Sequence, residues 1–478
     1  MERWSCAACQ ANALAFPAMT SRSPQVREIA ATPAQLRALA VRQSRLFPAL
    51  FDSTALGPLG RYSILAAAPC ASLILRGDGR LECQGVSLHR PDFLGALDEW
   101  WHAQRSAPSP DAGRLPFRGG WVVYLAYETA DRIESGLHLP ALAADAVCAM
   151  AIRVPAALIY DHERSRCHLM HEPDAAEAGA RIERALAARP AVDAERLITG
   201  LTAGAVLEQD PEAFRSAVLR AQEHISLGDI YQANLSRGWQ VQLPAGADPG
   251  ALYESLRRAN PAPFAVYATL PAMTLLSSSP ERLVRVASGI VETRPIAGTR
   301  ARHGTLASDD TERQELLANA KERAEHVMLI DLERNDLGRI CTAGSVEVNE
   351  FMVTESYPHL HHIVSNVRGQ LREGVTPGTT LRAVFPGGTI TGCPKYRCMQ
   401  LIGELEGEAR GAYTGSVGYL NTDGDMDFNI LIRTATLSGS ELRFRTGAGI
   451  VADSDWSREL AETRIKAQGL LRAFGSRP

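Results

Sequence analysis

No stretch of this sequence approaches the ~20 consecutive apolar residues that a spanning helix needs, which excludes a protein threaded through a bilayer by helices. The segment Met1 to Ala18 also lacks a charged start followed by a continuous apolar run, so no secretory leader is expected and a cytoplasmic protein is. Cysteine is sparse, nine residues scattered over 478, which argues for reduced thiols rather than a disulfide framework. Cys6 and Cys9 form a single CxxC, and with no second pair at metal spacing a structural zinc site lacks its ligands. An excess of one charge is absent too. The chain carries 50 Lys and Arg against 54 Asp and Glu, well mixed, for a formal charge of -4, so it builds neither a nucleic-acid-binding face nor a membrane-coating one. What is present is 45% hydrophobic residues with 39 Gly and 27 Pro, enough for a large core or two lobes, and a small-molecule substrate fits that balance best.

Turn residues divide the first half into short apolar strands, among them Tyr62 to Ala66, Ser72 to Arg76, Trp121 to Ala126 and Ala156 to Tyr160. Residues 1–28 are expected to form a disordered extension, with Met19 a candidate start, and 29–175 a β-rich N-terminal region. The Ala-, Arg- and Glu-rich stretch Asp174 to Leu197, which contains Arg189 and Pro190, is read as a helical connector. A second region, 209–472, opens on a capping Asp210 with Pro211 at the first helical position, and Phe214, Val218, Ala221 and Ile225 follow at helical spacing. Gly228 ends that helix. From Ile230 to Arg237 the pattern alternates, with Tyr231, Ala233 and Leu235 on one face and Gln232, Asn234 and Ser236 on the other. A strand with such a polar face is either solvent-exposed or lines a site.

Two helices carry paired carboxylates. Ala320 to Ile330 is helical in propensity and puts Glu322 and Glu325 on one face. After the cap-rich Asp453-Ser454-Asp455, a second helix puts Glu459, Glu462 and Lys466 on one side and Leu460, Ala467, Leu471 and Phe474 on another. Each pair is either a solvated acidic face or half of a site for a hard cation, because magnesium takes oxygen ligands and keeps waters and substrate oxygens beside them. Glycine-rich turns are read at Phe385-Pro386-Gly387-Gly388-Thr389 and, behind the strand Glu441 to Arg445, at Thr446-Gly447-Ala448-Gly449. Such turns either reverse the chain or let backbone N–H groups approach an anion. Arg433 interrupts the strand-like run Ile430 to Thr434, and a buried arginine needs an anionic partner from the protein or from a ligand.

These residues belong to a longer ordered set: Asp229-Ile230-Tyr231-Gln232, Ser279-Pro280-Glu281-Arg282, the run Arg294 to Arg300, Ala324-Glu325-His326 continuing to Asp336, His361 to Ser365, and Gly387 to Arg397. With the segments around Tyr413, Arg433 and Gly449, they make the region Gln209 to Leu470 resemble the catalytic domain of the chorismate-utilising enzymes. That family includes anthranilate, aminodeoxychorismate, isochorismate and salicylate synthases. The resemblance implies an α+β fold, two large and mostly antiparallel β-sheets packed as a sandwich with helices outside, and an active site in a cleft of the C-terminal half. It implies Mg2+ held directly by Glu325 and Glu462, and through water by Glu322 and Glu459, gripping the ring carboxylate of chorismate. Tyr413, Arg433 and the backbone at Gly447 and Gly449 are implied to clamp the enolpyruvyl carboxylate, with Thr389 and Lys466 also against substrate. Glu281 resembles the general acid that protonates the departing C4 hydroxyl, a role for a carboxyl held neutral by its surroundings. His362, Gly298 and Thr299 match positions beside the ring.

Family members that add water resemble one another in carrying a lysine base where Gln232 stands. Glutamine cannot deprotonate water, whereas ammonia is already a nucleophile, so an aminating enzyme is implied. The first half resembles the N-terminal region of the aminating members as well. Ala297 stands where many aminodeoxychorismate synthases carry a lysine that attacks C2, and Pro-Ile-Ala-Gly-Thr is the anthranilate synthase pattern. Asn234, Gly387-Gly388-Thr389, the Gly424 to Asp427 turn and Thr391-Gly392-Cys393-Pro394-Lys395 resemble the aminodeoxychorismate synthases instead. The resemblance therefore implies para-amination, towards p-aminobenzoate and folate, with ortho-amination to anthranilate as the alternative and a non-catalytic regulatory homologue as a third. Cys393 is a candidate substitute nucleophile. Leu50-Phe51-Asp52-Ser53 resembles a tryptophan-binding segment, which makes Leu50, Asp52 and Ser53 a candidate tryptophan site, against plain core packing. No Gly-x-Cys-x-Gly nucleophile turn occurs, so ammonia is expected from a separate glutamine amidotransferase subunit, and no fused lyase is expected after Lys466.

Overall fold

The computed structural model describes residues 23–55, 57, 59–107, 115–188, 204–301, 320–356 and 360–475. Two antiparallel sheets organise them. The first runs edge to edge through Gln25–Ile29, Arg166–His171, Ala156–Asp161, Tyr62–Ala67, Ala49–Asp52, Phe264–Leu270, Met273–Ser279, Thr434–Ser438, Glu441–Ile450, Gln232–Gln242 and Val206–Glu208. The second runs through Ile296–Ala301, Leu360–Gln370, Ile290–Thr293, Arg282–Ala287, Met426–Asn429, Ser416–Asn421, Gly120–Leu125, Val147–Val154, Ala71–Arg76 and Leu81–Gln84. Each sheet contains strands from both regions distinguished in the sequence. Leu50 pairs with Tyr267 in the first and Val123 with Gly418 in the second, so backbone ladders join the regions twice.

The sheets pack face to face over a shared apolar layer, to which Ile64, Ala66 and Val266 contribute from one side and Val122, Tyr124 and Met150 from the other. On the outer face of the first sheet, Leu36, Ile182, Leu252 and Ala467 anchor the helices Pro33–Arg42, Ala176–Ala187, Pro249–Ala259 and Trp456–Ala473. On the outer face of the second, Leu97, Ile330 and Leu381 anchor Phe93–Gln104, Ala320–Gly338 and Pro377–Val384. Leu97 is wholly buried, and truncating such a leucine to alanine costs roughly 2–5 kcal/mol. The α+β sandwich expected from the resemblance is thus the observed fold.

Helix starts follow their capping residues. Asp210 accepts the Glu212 N–H ahead of the Pro211–Ser226 helix, and Asp455 accepts those of Ser457 and Arg458 ahead of Trp456–Ala473. The N-terminal strands lie within a residue or two of their expected limits. One boundary moves: residues 25–28, expected within a disordered extension, form an edge strand whose Val26 pairs with Met170, with Ile29 packed against the apolar layer behind the first sheet and Val26 exposed. Cys6, Cys9 and Met19 lie outside the described residues, as do Arg189 and Pro190 of the connector. Among the described residues no helix is long and apolar enough to cross a membrane.

Candidate active site

The strands Gln232–Gln242 and Glu441–Ile450 are antiparallel neighbours, with Asn234 opposite Gly449 and Ser236 opposite Gly447. The segment Thr446 to Gly449, expected as a turn, is therefore the interior of a strand. Its glycines answer a different demand. A Cβ at Gly447 would stand 2.6 Å from Tyr413 Oη, 2.7 Å from Asn234 Oδ1 and 2.8 Å from the Leu235 carbonyl oxygen. One at Gly449 would stand 2.8 Å from Gln232 Nε2 and 3.5 Å from Glu325 Oε1. Glycine keeps open the space in which these side chains converge. The polar face of the Gln232 strand is turned into the protein: Gln232 and Ser236 are buried, while Ala233 and Leu235 pack against the helices behind. Tyr231, just before the strand, is exposed.

Gln232 Nε2 donates to Glu325 Oε1 at 3.0 Å. A carboxylate only accepts, so this contact fixes the amide orientation and leaves Gln232 Oε1 buried and, among the described residues, without a hydrogen-bond partner. On the opposite helix, Glu462 pairs with Lys466 at 2.6 Å, and Lys466 Nζ also donates to the Gly447 carbonyl at 2.9 Å. Glu459 accepts from Ser454 Oγ at 2.8 Å, and Glu322 is half-buried on the Ala320–Gly338 helix. Glu325 and the Glu462–Lys466 pair thus border the same short stretch of strand. Among the described residues no three His, Cys, Asp or Glu side chains stand close enough together to hold an ion as they are.

Glu281 is 4% exposed. Burial pushes its carboxyl up to about 7; the charge of Glu333 adds to this, while Thr389, the Ile296 N–H and Arg433 work against it. Glu281 Oε1 and the Thr389 hydroxyl are both buried, and among the described residues neither makes a hydrogen bond of ordinary geometry. Arg433 does not sit in a strand, as its apolar flanks implied; the strand begins at Thr434, and Arg433 occupies the left-handed region at φ 50°. A non-glycine residue held there stores strain of about 1–2 kcal/mol. Its guanidinium makes no ion pair among the described residues, and burial lowers its pKa against the opposing influence of Glu281. Burial likewise pushes the Tyr413 hydroxyl up to about 12, so that it remains an O–H donor.

Gly298 is a strand bulge. Ala297 pairs with Ile363 and Thr299 with His362, the register shifts between them, and Gly298 takes φ 64°, a conformation that suits glycine. His362 is buried. Cys393 pairs with Gln232, and burial, followed by Asp331, raises its thiol above the ordinary cysteine value, which lowers the thiolate fraction a nucleophile needs.

Several residues of the site carried no sequence-based expectation. Arg410 donates to the Asn234 carbonyl at 2.6 Å and the Ile390 carbonyl at 3.2 Å, is held by buried Glu406 at 2.6 Å, and lies over the Tyr413 ring. The i, i+4 spacing of Glu406 and Arg410 was its only local signal. Buried Glu333 and Asp336, with half-buried Lys395, lie behind the Gly387 to Thr389 turn.

A second cavity, of about 640 Å³, opens between the two sheets and is lined by Phe51, Asp52, Ser53, Phe264, Tyr419 and Asn429 among others. That volume is in the range of small-molecule sites. Asp52 accepts from Ser63 Oγ at 3.1 Å and Tyr253 Oη at 3.3 Å, and Ser53 Oγ donates to the Tyr62 carbonyl at 2.7 Å. Leu50, expected with them, is not part of this lining. It is wholly buried in the layer between the first sheet and its helices, where alternation along the strand turns it.

Comparison with known proteins places the chain in a family with the same fold. The family described as chorismate binding enzyme matches residues 58–472. Aminodeoxychorismate synthase component 1 of Bacillus subtilis is 37% identical over 433 residues, 87% of this chain and 89% of its own. Anthranilate synthase component 1 of Thermus thermophilus is 40% identical over 432 residues, 89% of this chain and 91% of its own. The crystal structure of anthranilate synthase component I from Streptococcus pneumoniae TIGR4 matches with a TM-score of 0.73 at 31% identity, over 87% of this chain and 93% of that one. A family match over most of the sequence, with relatives this similar along nearly their whole length, means that the chain belongs to the chorismate binding enzymes.

Proposed function

We propose that this protein is the aminating subunit of an aminodeoxychorismate synthase, converting chorismate and ammonia to 4-amino-4-deoxychorismate for p-aminobenzoate and folate synthesis in the cytoplasm. The observation that carries amination is Gln232, buried at the site and turned by Glu325, where water activation would require a base. Ammonia needs none, and a glutamine amidotransferase subunit is its proposed source. Asn234, whose side-chain amide oxygen is buried beside Tyr413 and Gly447, supports the para-aminating branch. A second reading, ortho-amination to anthranilate, is favoured by Ala297, which offers no lysine to attack C2. Relatives named for each reaction match at similar identity.

In the proposed chemistry the Tyr413 hydroxyl donates a hydrogen bond to the enolpyruvyl carboxylate and Arg433 supplies the countercharge. Glu281 holds a proton near neutral pH and delivers it to the C4 hydroxyl, which departs as water. The all-oxygen donors of Glu325 and Glu462, with Glu322 and Glu459 through water, suit magnesium, which supplies positive charge for the ring carboxylate. The cavity at Asp52 and Ser53 is the proposed tryptophan site. One experiment tests the whole: incubate the protein with chorismate, ammonium and magnesium, with and without an added aminodeoxychorismate lyase, and identify the product. p-Aminobenzoate formed only with the lyase is expected; anthranilate formed without it would transfer the assignment to the second reading, and no chorismate consumption would defeat both.

A further inference from the structure

Behind Glu281 lies a second buried acid that the chemistry above does not use. The Gly387 to Thr389 turn separates the two: Glu281 lies against Thr389, while a Cβ on Gly388 would come within 3.2 Å of Glu333 Oε1. Glu333 and Asp336 share one face of the Ala320–Gly338 helix, both 6% exposed. Among the described residues one cation forms an ion pair with them. Lys395, at the start of the Lys395–Glu406 helix, forms an ion pair with Asp336 and donates to the Val384 carbonyl at 3.3 Å. Two buried carboxyls and one ammonium cannot all be charged without leaving an uncompensated negative charge, and Asp336 holds the lysine.

We propose that Glu333 is a positioning residue for Glu281, keeping the acid in its proton-bearing form, and that the Asp336–Lys395 pair sets how strongly it does so. The inference rests on the general-acid role proposed for Glu281. Glu333 faces Asp336 from its own helix, Lys395 from the next, Thr293 from the Ile290–Thr293 strand, the Gly388 N–H from the turn, and Glu281. Asp336 also meets Arg339 and Glu134, and Glu281 meets Arg433. Burial and then the charge of Asp336 raise Glu333 above the ordinary carboxylate value, so two acids that both favour their proton-bearing forms lie on either side of the turn. When Glu333 ionises, its charge opposes ionisation of Glu281 and holds the proton on the acid to higher pH.

Two substitutions then act in opposite directions. Glu333→Gln mimics the protonated side chain, removes the repulsion, and moves the alkaline limb of the kcat/KM profile to lower pH by about one unit. Asp336→Asn leaves Lys395 to Glu333 alone, favours its ionisation, and moves the same limb to higher pH. The test is chorismate consumption at constant free ammonia from pH 5.5 to pH 9, sampled at roughly half-unit steps to resolve a one-unit shift, for the wild type and each variant, with a thermal melt to show that each is folded. Opposite displacements support the inference. A limb that stays in place in a folded variant, or moves the same way in both, overturns it, and either variant suffices should the other fail to fold. Full activity in Glu281→Gln would instead overturn the general-acid role, and this inference with it.

Discussion

Replacing Gly447 by alanine adds one methyl group where three oxygens stand within 2.8 Å of its position. One of them, the Leu235 carbonyl, belongs to the neighbouring strand and cannot retreat without opening the ladder; the other two are the ends of Tyr413 and Asn234. Overpacking of this kind costs about 1–3 kcal/mol, which in a chain of this length lowers Tm by only a few degrees. The larger effect falls on substrate. Tyr413 is buried with Arg410 over its ring, so displacing its hydroxyl removes a hydrogen bond to an anion worth ~1.5–3 kcal/mol. At about 1.4 kcal/mol per decade, the KM for chorismate in Gly447→Ala rises roughly 10- to 100-fold. Steady-state kinetics with ammonium at saturation, beside a melting curve, measures both. Gly439→Ala is the control: it has φ 59° and no neighbour within 4 Å, so it strains a turn without touching the site. A folded Gly447→Ala protein with an unchanged KM for chorismate would refute the glycine gap as the carboxylate clamp.

Glu281→Gln removes the proton donor, and kcat is expected to fall about 10²- to 10⁴-fold, whereas wild-type activity declines as pH rises through about 7 and the acid loses its proton; a variant as active as wild type would discount the role. Glu128, Glu281 and Glu333 are all pushed to about 7, chiefly by burial, from an ordinary 4.5. Their folded pKa values are raised, so the stability linked to proton binding is complete below the ordinary value and is lost as pH rises through about 7. His326, pushed down to about 4 from an ordinary 6.5, opposes this between those two values and only weakly above them. Calorimetry should therefore give a lower Tm at pH 8 than at pH 6.5, and the reverse order would contradict the burial argument. Free tryptophan is expected to raise Tm in the wild type and not in Asp52→Ala, and equal shifts in the two proteins would remove the indole from the inter-sheet cavity. Cys393→Ala should leave ammonia-dependent turnover unchanged, because a thiol raised by burial is a poor nucleophile at neutral pH; a large loss would restore it as a candidate.

Local pattern carried the elements well and their neighbours badly. Alternation from Gln232 onward gave a strand, and Asp210 and Asp455 gave helix starts, because each signal lies within a few residues. Whether the strand's polar face met solvent or a site depended on Gly447 and Gly449, more than 200 residues away on the facing strand. Those glycines read as a turn, since glycine in isolation signals reversal; their meaning as a gap exists only once Tyr413, Asn234 and Glu325 are brought against them. Leu50 shows the converse separation: grouped with Asp52 and Ser53 in one motif, it is turned by the pleat into a different apolar layer from the inter-sheet cavity that they line. Arg410 and Lys395 had no legible role because their partners, the Asn234 carbonyl and Asp336, are assembled by tertiary packing alone.

The two groups on which the proposed chemistry turns are placed by the same topological device. Ser279 belongs to the first sheet and Arg282 to the second, so the chain crosses from one to the other at Pro280-Glu281. It returns between Asn429 of the second sheet and Thr434 of the first, and this crossing carries Arg433. The Ile430 N–H donates to the Glu281 carbonyl at 3.0 Å, holding the two crossings side by side. A residue in a crossing is released from the alternation of a ladder, which is why Arg433 can take a left-handed conformation and why Glu281 can be buried without pairing across a sheet. The pairing of charges follows from the same proximity. Arg433 draws the proton affinity of Glu281 down; on the proposed reading a substrate carboxylate seated on Arg433 would cancel that pull, and the acid would hold its proton more firmly with substrate bound.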